Sequence, residues 1–343
     1  MTLTYRTKRK LQRAGLVALV LLLVGILVWF CWVIWLERYV VYTADGASID
    51  FEISDDVGQG QLAAPPSADE TVSIYYNEGA NAINASTDLA QLSGYYIDAE
   101  ILQTDLAGAR DIVATLPSGS AVMIDVKSPK GSFYYTSSLS DAIQNSTVSS
   151  TAVDSLITDV TSRNLYAIAV VPAFRDYNYG LNHVSCGLAV PKGYLWADDD
   201  YCYWLDPTDA GTISWLKSII EELRDLGFDE VVFTNFCFPN TDSIVFNGDR
   251  IEAINKAASN LVTACATNNL AVSFMTSDAS FVLPEGRSRL YLENVGAKGV
   301  DSVAATTAVT DPAVNLVFMA TTNDTRFDAY SVIRPINTVA LDE

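Results

Sequence analysis

The stretch Leu216 to Pro239, LKSIIEELRDLGFDEVVFTNFCFP, narrows the possible folds more than any other part of the chain. Ile213, Leu216, Ile219, Ile220, Leu223 and Leu226 recur at three- and four-residue spacings and so share one face of a helix. Gly227 follows the last of them, where a left-handed residue ends a helix without a Cβ clash, and Phe228 is placed to fold back on Leu223. Val231 to Phe236 is then a short, mostly apolar run of strand-favouring residues. A strand that directly follows an amphipathic helix and is apolar on both faces belongs in a buried parallel sheet. In such folds the chemistry gathers at the C-terminal strand ends, which puts Thr234, Asn235, Phe236, Cys237, Phe238 and Pro239 at the border of any active site.

The same order repeats along the chain. Strands are expected at Tyr95–Ile97, Ala121–Val126, Leu165–Val171, Leu270–Phe274, Asp301–Ala305 and Asn315–Ala320, with a last one from the region 327–336. Helices are expected at Leu106–Leu116, Val153–Val160, Ile251–Thr267 and Arg287–Val295, and a long aromatic-rich loop at 172–209. Alternation of this kind implies parallel pairing with right-handed crossovers. About eight units over roughly 250 residues fit an α/β fold of the closed (β/α)8 TIM-barrel type, with an open doubly wound sheet as the alternative. No G-x-G-x-x-G or Walker sequence follows a strand, so nucleotide binding has no support and no cofactor is expected.

Residues Ala14 to Leu36 carry no charge and, as a helix rising about 1.5 Å per residue, are long enough to cross a bilayer. Trp29, Trp32 and Trp35 crowd the far end, where indoles favour the interface, and Arg6, Lys8, Arg9, Lys10 and Arg13 precede the run. This predicts a single-pass anchor with residues 1–13 cytoplasmic and the rest extracytoplasmic. A cleaved signal peptide is the rival, but no small-x-small cleavage site follows. Tyr39 to Tyr42 reads as a short strand, and the acidic, Gly-, Ser- and Pro-rich part of 37–90 as a stalk and linker. The barrel is expected over 91–343.

The whole chain has a formal charge of -20, and its N-terminal 13 residues hold none of its 41 acids. The remainder therefore repels nucleic acid and anionic lipid surfaces, leaving neutral ligands, cations or cationic polymers as partners. His183 is the only histidine, which excludes most histidine-based metal sites; with no G-x-S-x-G element it also argues against a Ser-His-Asp triad. Cys31 lies in the apolar segment, and Cys186, Cys202, Cys237 and Cys265 beyond it; a Cys186–Cys202 bridge and free thiols both remain open.

Three pieces of sequence carry a resemblance: AVMIDVKSPKG (121–131), YCYWLDPTDAGTISWLKSIIEELRDLGFDEVVF (201–233) and Phe238-Pro239. Together they resemble the glycosyl hydrolase-like domain of bacterial exported and membrane-anchored proteins, over roughly residues 93–336. The resemblance implies a (β/α)8 barrel distantly similar to the α-amylase type of glycosidase. In that family the central strand typically ends Phe-Asp-Tyr-x-Arg-Phe-Pro, and here the acid is Thr234 and the arginine Cys237. Glycosidases generally need two carboxyl groups, one to protonate the leaving oxygen and one to attack or to activate water. A threonine cannot form the glycosyl-carboxylate ester. The expected function is therefore a membrane-anchored barrel that binds a glycan or envelope polysaccharide with weakened or lost hydrolysis. An active hydrolase using other carboxylates and a non-catalytic envelope scaffold are the alternatives.

Candidate residues follow from position. Asp125 and Lys127 share a strand face and can form a carboxylate–ammonium pair lining a sugar site, or a structural ion pair. Asp278, just after the fifth strand, is a second catalytic candidate beside Asp125. Arg175 and Asp176 follow the third strand and either bind ligand hydroxyls or pin the long loop. Trp204 and Asp206 match the family's W-x-D-P, Asp206 either capping a turn or the central helix or joining the chemistry. Thr234 and Asn235 complete the ligand-binding set. Asp229 and Glu230, at the opposite end of the central strand, read as structural. Tyr177, Tyr179, Tyr194, Trp196, Tyr201, Tyr203 and Trp204 form either a glycan platform or loop packing, and Asp198-Asp199-Asp200 either a Ca²⁺ foothold or a solvated run.

Overall fold

The structure, a computed structural model, describes residues 89–265 and 269–338, with the backbone of 40–43 and 46–49. The chain divides into two units, Met1–Gly79 and Ala80–Glu343. In the first, Val40–Thr43 pairs antiparallel with Gly46–Ile49, so the short strand expected near Tyr39 has a partner within the expected stalk. The apolar segment 14–36 lies outside the described residues, as does most of the stalk; no described helix is long and apolar enough to cross a membrane.

The second unit contains a closed barrel of eight parallel strands. They are β1 (Ser93–Ile97), β2 (Ala121–Asp125), β3 (Tyr166–Pro172), β4 (Glu230–Thr234), β5 (Ala271–Thr276), β6 (Leu290–Leu292), β7 (Leu316–Met319) and β8 (Ser331–Pro335). Each pairs with its chain neighbours, and β8 closes on β1 through Val332 opposite Ser93. Closure rules out the open doubly wound alternative. The helices are α1 (Ala99–Thr104), α2 (Leu106–Thr115), α3 (Ser150–Thr161), α4 (Tyr177–Asn182), α5 (Ala210–Asp225), α6 (Arg250–Cys265), α7 (Val300–Thr306) and α8 (Pro312–Asn315).

Helix α5 stops as its sequence dictates. Gly227 takes φ 92°, the Phe228 N–H donates to the Leu223 carbonyl at 3.1 Å, and the Gly227 N–H donates to that of Arg224 at 2.9 Å. This paired reversal satisfies carbonyls that the helix end would otherwise leave open, and it launches β4. Trp215, Leu216, Ile219, Ile220 and Leu223 are buried beneath the helix. At its start the Asp209 side chain accepts from the Gly211 and Thr212 N–H groups, at 2.9 and 3.1 Å.

Helices α1 and α8 had no counterpart in the sequence reading, α4 lies inside the expected loop, and two further elements exchange type. The segment expected as a helix over 287–295 contains strand β6, and the strand expected at 301–305 is helix α7. Leu290, Tyr291 and Leu292 are all buried, and a three-residue strand covered on both faces has no period to distinguish it from a buried helix. The link from β5 to β6 carries no helix, which removed the expected rhythm.

Strand alternation sorts the core. Met123, Ile168, Val232, Met275, Tyr291, Val317 and Ile333 come from seven strands into one cluster, the barrel interior. Val122, Ile124, Val231, Phe233, Val272 and Phe274 face outward into the layer beneath the helices. At the N-terminal end of the interior, Glu230 forms a buried ion pair with Arg289 and accepts from the Tyr166 and Tyr291 hydroxyls, each at 3.0 Å. Arg289 also donates to the Ala90 carbonyl at 2.7 Å. The structural reading of Glu230 agrees with this: it is a core charge at the barrel base, far along the strand from Thr234.

Candidate functional site

The alternation that turns Glu230 and Val232 inward carries Thr234 inward as well, at the C-terminal end of β4. Its carbonyl accepts from the Ala173 N–H at 2.8 Å, holding this strand end against the segment that leaves β3. Asn235 then takes φ 50°, a left-handed turn that asparagine tolerates better than most residues. The turn sends Phe236 into an aromatic cluster, with ring centroids 4.6 Å from both Phe174 and Phe274. Cys237, where the resemblance implies an arginine, is exposed.

One strand further round the ring from β3, at the end of β2, stands Asp125. Its Oδ1 accepts from the Tyr96 hydroxyl at 2.7 Å and its Oδ2 from the Ala99 N–H at 2.8 Å. Burial pushes this carboxyl up to about 6 against the pull of those two hydrogen bonds, and the nearby Asp98 adds to the rise. Burial and the Asp125 charge in turn hold the Tyr96 hydroxyl far above its ordinary value, with Asp98 and Glu293 contributing. Burial, then Asp125, likewise push Tyr134 up to about 12. Glu293 follows β6 on the face that Tyr291 turns inward, and although it reaches solvent, the protein packed around it raises its carboxyl. The mouth thus holds Thr234, Asp125, Tyr96 and Glu293: hydroxyls and carboxyls suited to hydrogen-bonding a polyol. No described lysine or arginine forms an ion pair with Asp125.

The other predicted residues lie elsewhere. Lys127 does not pair with Asp125. It is fully buried, 2.7 Å from Asp176, and also donates to the Pro172 carbonyl at 3.3 Å. Asp176 caps α4 through the Tyr179 N–H at 2.9 Å and accepts from the Trp215 indole at 3.3 Å. Both are closed to solvent and occupied in joining the loops that frame the mouth, a structural role for each. Arg175 grips Asp198 at 2.6 Å and Asp200 at 2.7 Å, so it pins the long loop; Asp199 and Asp200 are exposed and Asp198 is half-buried. Trp204 is buried with its indole N–H on Asp198 at 3.0 Å, and Tyr179 is buried beneath Trp215, so neither offers a face to a glycan. Asp206 caps a turn, accepting from the Thr208 N–H and hydroxyl at 2.8 and 2.7 Å, and leaves the cap of α5 to Asp209. Asp278 sits exposed in the loop after β5, accepting from the Ser280 N–H and hydroxyl. Cys186, Cys202, Cys237 and Cys265 are free thiols. Among the described residues no group of three metal-ligating side chains occurs.

Tyr96 and Glu293 were missed. Tyr96 was legible, since it alternates with Gly94 toward the interior on a strand already expected. Glu293 was hidden by the helix read over its strand.

Residues 113–277 match the family described as "Putative glycosyl hydrolase domain". Solved structures share the fold. The galactosidase domain of the α-galactosidase-sucrose kinase AgaSK is 10% identical, with a TM-score of 0.52 over 73% of this chain and 38% of that one. The GH36 α-galactosidase AgaA from Geobacillus stearothermophilus, in complex with raffinose, is 11% identical, with a TM-score of 0.50 over 74% of this chain and 40% of that one. The GH20 exo β-N-acetylglucosaminidase from Vibrio harveyi is 9% identical, with a TM-score of 0.50 over 67% of this chain and 41% of that one. This chain therefore spans about two fifths of the length of those three. No curated protein matches the sequence.

Proposed function

The chain carries a glycosyl hydrolase-like (β/α)8 barrel, and from that premise we propose that it binds a glycan or cell-envelope polysaccharide at the barrel mouth with weakened or lost hydrolysis. Residues 14–36 anchor it, with the barrel outside the cell. The observation that carries the reading is Thr234. It occupies the inward-facing end of the central strand, where the family's acid is expected, and offers a hydroxyl in its place. A nucleophilic carboxylate is kept ionised by a neighbouring cation. Asp125 has burial instead, which favours its neutral form, and Lys127, the nearest candidate in sequence, is committed to Asp176. Carboxyl and hydroxyl groups that hydrogen-bond sugar hydroxyls need no such activation.

Calorimetric titration of the full chain in detergent against an envelope and host oligosaccharide panel tests this. Binding is expected, weakened at least about tenfold by Thr234→Arg, which plugs the mouth. Absence of binding across the panel sinks the proposal. One observation favours a second reading: a carboxyl titrating near 6 suits a general acid. Release of reducing ends that Asp125→Asn abolishes would establish that hydrolysis survives.

A further inference from the structure

A second concavity, of about 550 Å³, lies beside the mouth, between the loop that follows β2 and the tip of the loop that follows β3. Its size falls within the range of small-molecule sites, about 300–1,000 Å³. Both loops leave C-terminal strand ends, so it lies on the same side of the barrel as Thr234. The second wall is an ordered ribbon. Antiparallel bridges join Gly187 to Leu205, Ala189 to Leu195 and Ala197 to Tyr203, and the strip is stitched to the barrel by Arg175 opposite Trp204.

The ribbon's tip carries the telling feature. The Tyr201 N–H donates to the Asp198 carbonyl at 2.9 Å, and the Asp198 N–H to that of Cys202 at 3.0 Å. This is a short hairpin turn whose closing residue is left-handed, a place where glycine is usual. Tyr201 stands there at φ 59°, with 82% of its surface exposed. A bulky residue is held in an unfavourable backbone conformation, and its ring gains no burial in return. The tip is also braced. Arg175 holds Asp198 and Asp200, and the Cys202 thiol reaches the Pro129 carbonyl on the opposite wall at 3.0 Å.

We propose that this concavity is a second carbohydrate subsite that takes a neutral sugar unit of the same chain entering the mouth, with Tyr201 as its stacking face and Lys130 and Asp199 as its hydrogen-bonding groups. The inference rests on the glycan-binding reading. Lys130 and Asp199 line the concavity and form no ion pair among the described residues, so one can donate to and the other accept from a hydroxylated ring. In the lining Lys130 and Arg175 face Asp199 and Asp200, and Arg175 also holds Asp198, so no excess of positive charge is left to select an anion. The formal charge of -20 disfavours anionic ligands further. An aromatic face beside balanced polar groups suits a neutral polyol with an apolar C–H side.

The test uses the full chain in detergent and an oligosaccharide series, from disaccharide to hexasaccharide, of whichever panel member binds. Tyr201→Gly removes the ring while keeping the turn, since glycine favours the backbone conformation there. It is expected to weaken the hexasaccharide about tenfold, leave the disaccharide unchanged and leave the Tm no lower. Lys130→Ala is expected to act in the same direction. If Tyr201→Gly and wild type bind the hexasaccharide equally while Thr234→Arg still weakens binding, the second subsite is wrong and the mouth reading stands. If no oligosaccharide binds wild type, both fall.

Discussion

Asp125 shows how burial and hydrogen bonding contest one proton. A tyrosine hydroxyl and a backbone N–H both favour its ionised form, yet its carboxyl titrates near 6, because loss of solvent outweighs them. The folded-state value lies above the unfolded one, near 4. The native protein therefore binds the proton more tightly, and this group's contribution is fully favourable below about pH 4 and is lost as pH rises through 6. A rise of that size corresponds to at most about 3 kcal/mol. Urea melts between pH 4 and 7 are expected to show this fall in wild type and a flatter profile in Asp125→Asn. Thr234 makes a different point at the same scale. Its inward direction followed from strand alternation once β4 was recognised, so the loss of the expected acid was legible before any coordinates. The environment of Asp125 was not, since the Tyr96 hydroxyl and Ala99 N–H arrive from another strand and its following helix.

Among the elements, the loops after β2 and β3 are fastened to each other by the Lys127–Asp176 pair. Removing one partner strands a buried charge, typically at about 3–5 kcal/mol. Asp176→Ala, which also uncaps α4 and leaves the Trp215 indole without its acceptor, is expected to lose at least that much in urea unfolding, whereas Asp278→Ala is expected to change stability little. These residues lie 49 positions apart, and local spacing paired Lys127 with Asp125 instead; only the fold could supply the true partner. Helix α5 and strand β4 were readable as elements, because period, glycine stop and apolar run all agreed, although the strand ends at Thr234 and not Phe236 and the helix cap is Asp209 and not Asp206. The β6–α7 region was not. Its strand is too short to show a period, and without a helix between β5 and β6 the alternation that guided the reading lapsed there.

Viewed whole, the barrel has two chemically distinct ends. The mouth presents exposed or half-buried groups at the strand ends, and at the base the buried Glu230, Arg289 and Tyr291 form one network with the half-buried Tyr166. Glu230→Gln leaves the Arg289 guanidinium without its counterion, and a drop of about 3–5 kcal/mol in unfolding free energy is expected, with oligosaccharide affinity at the mouth unchanged. Joint replacement of Glu230 and Arg289 by apolar residues of similar volume is expected to recover most of it, which a double-mutant cycle reads directly. The clasp ties β4 to β6, the shortest strand of the ring, from the end opposite Thr234. Cohesion is thus anchored where no ligand reaches. Substitutions at the opening can accumulate, discarding one reactivity and acquiring another, while the architecture beneath them persists.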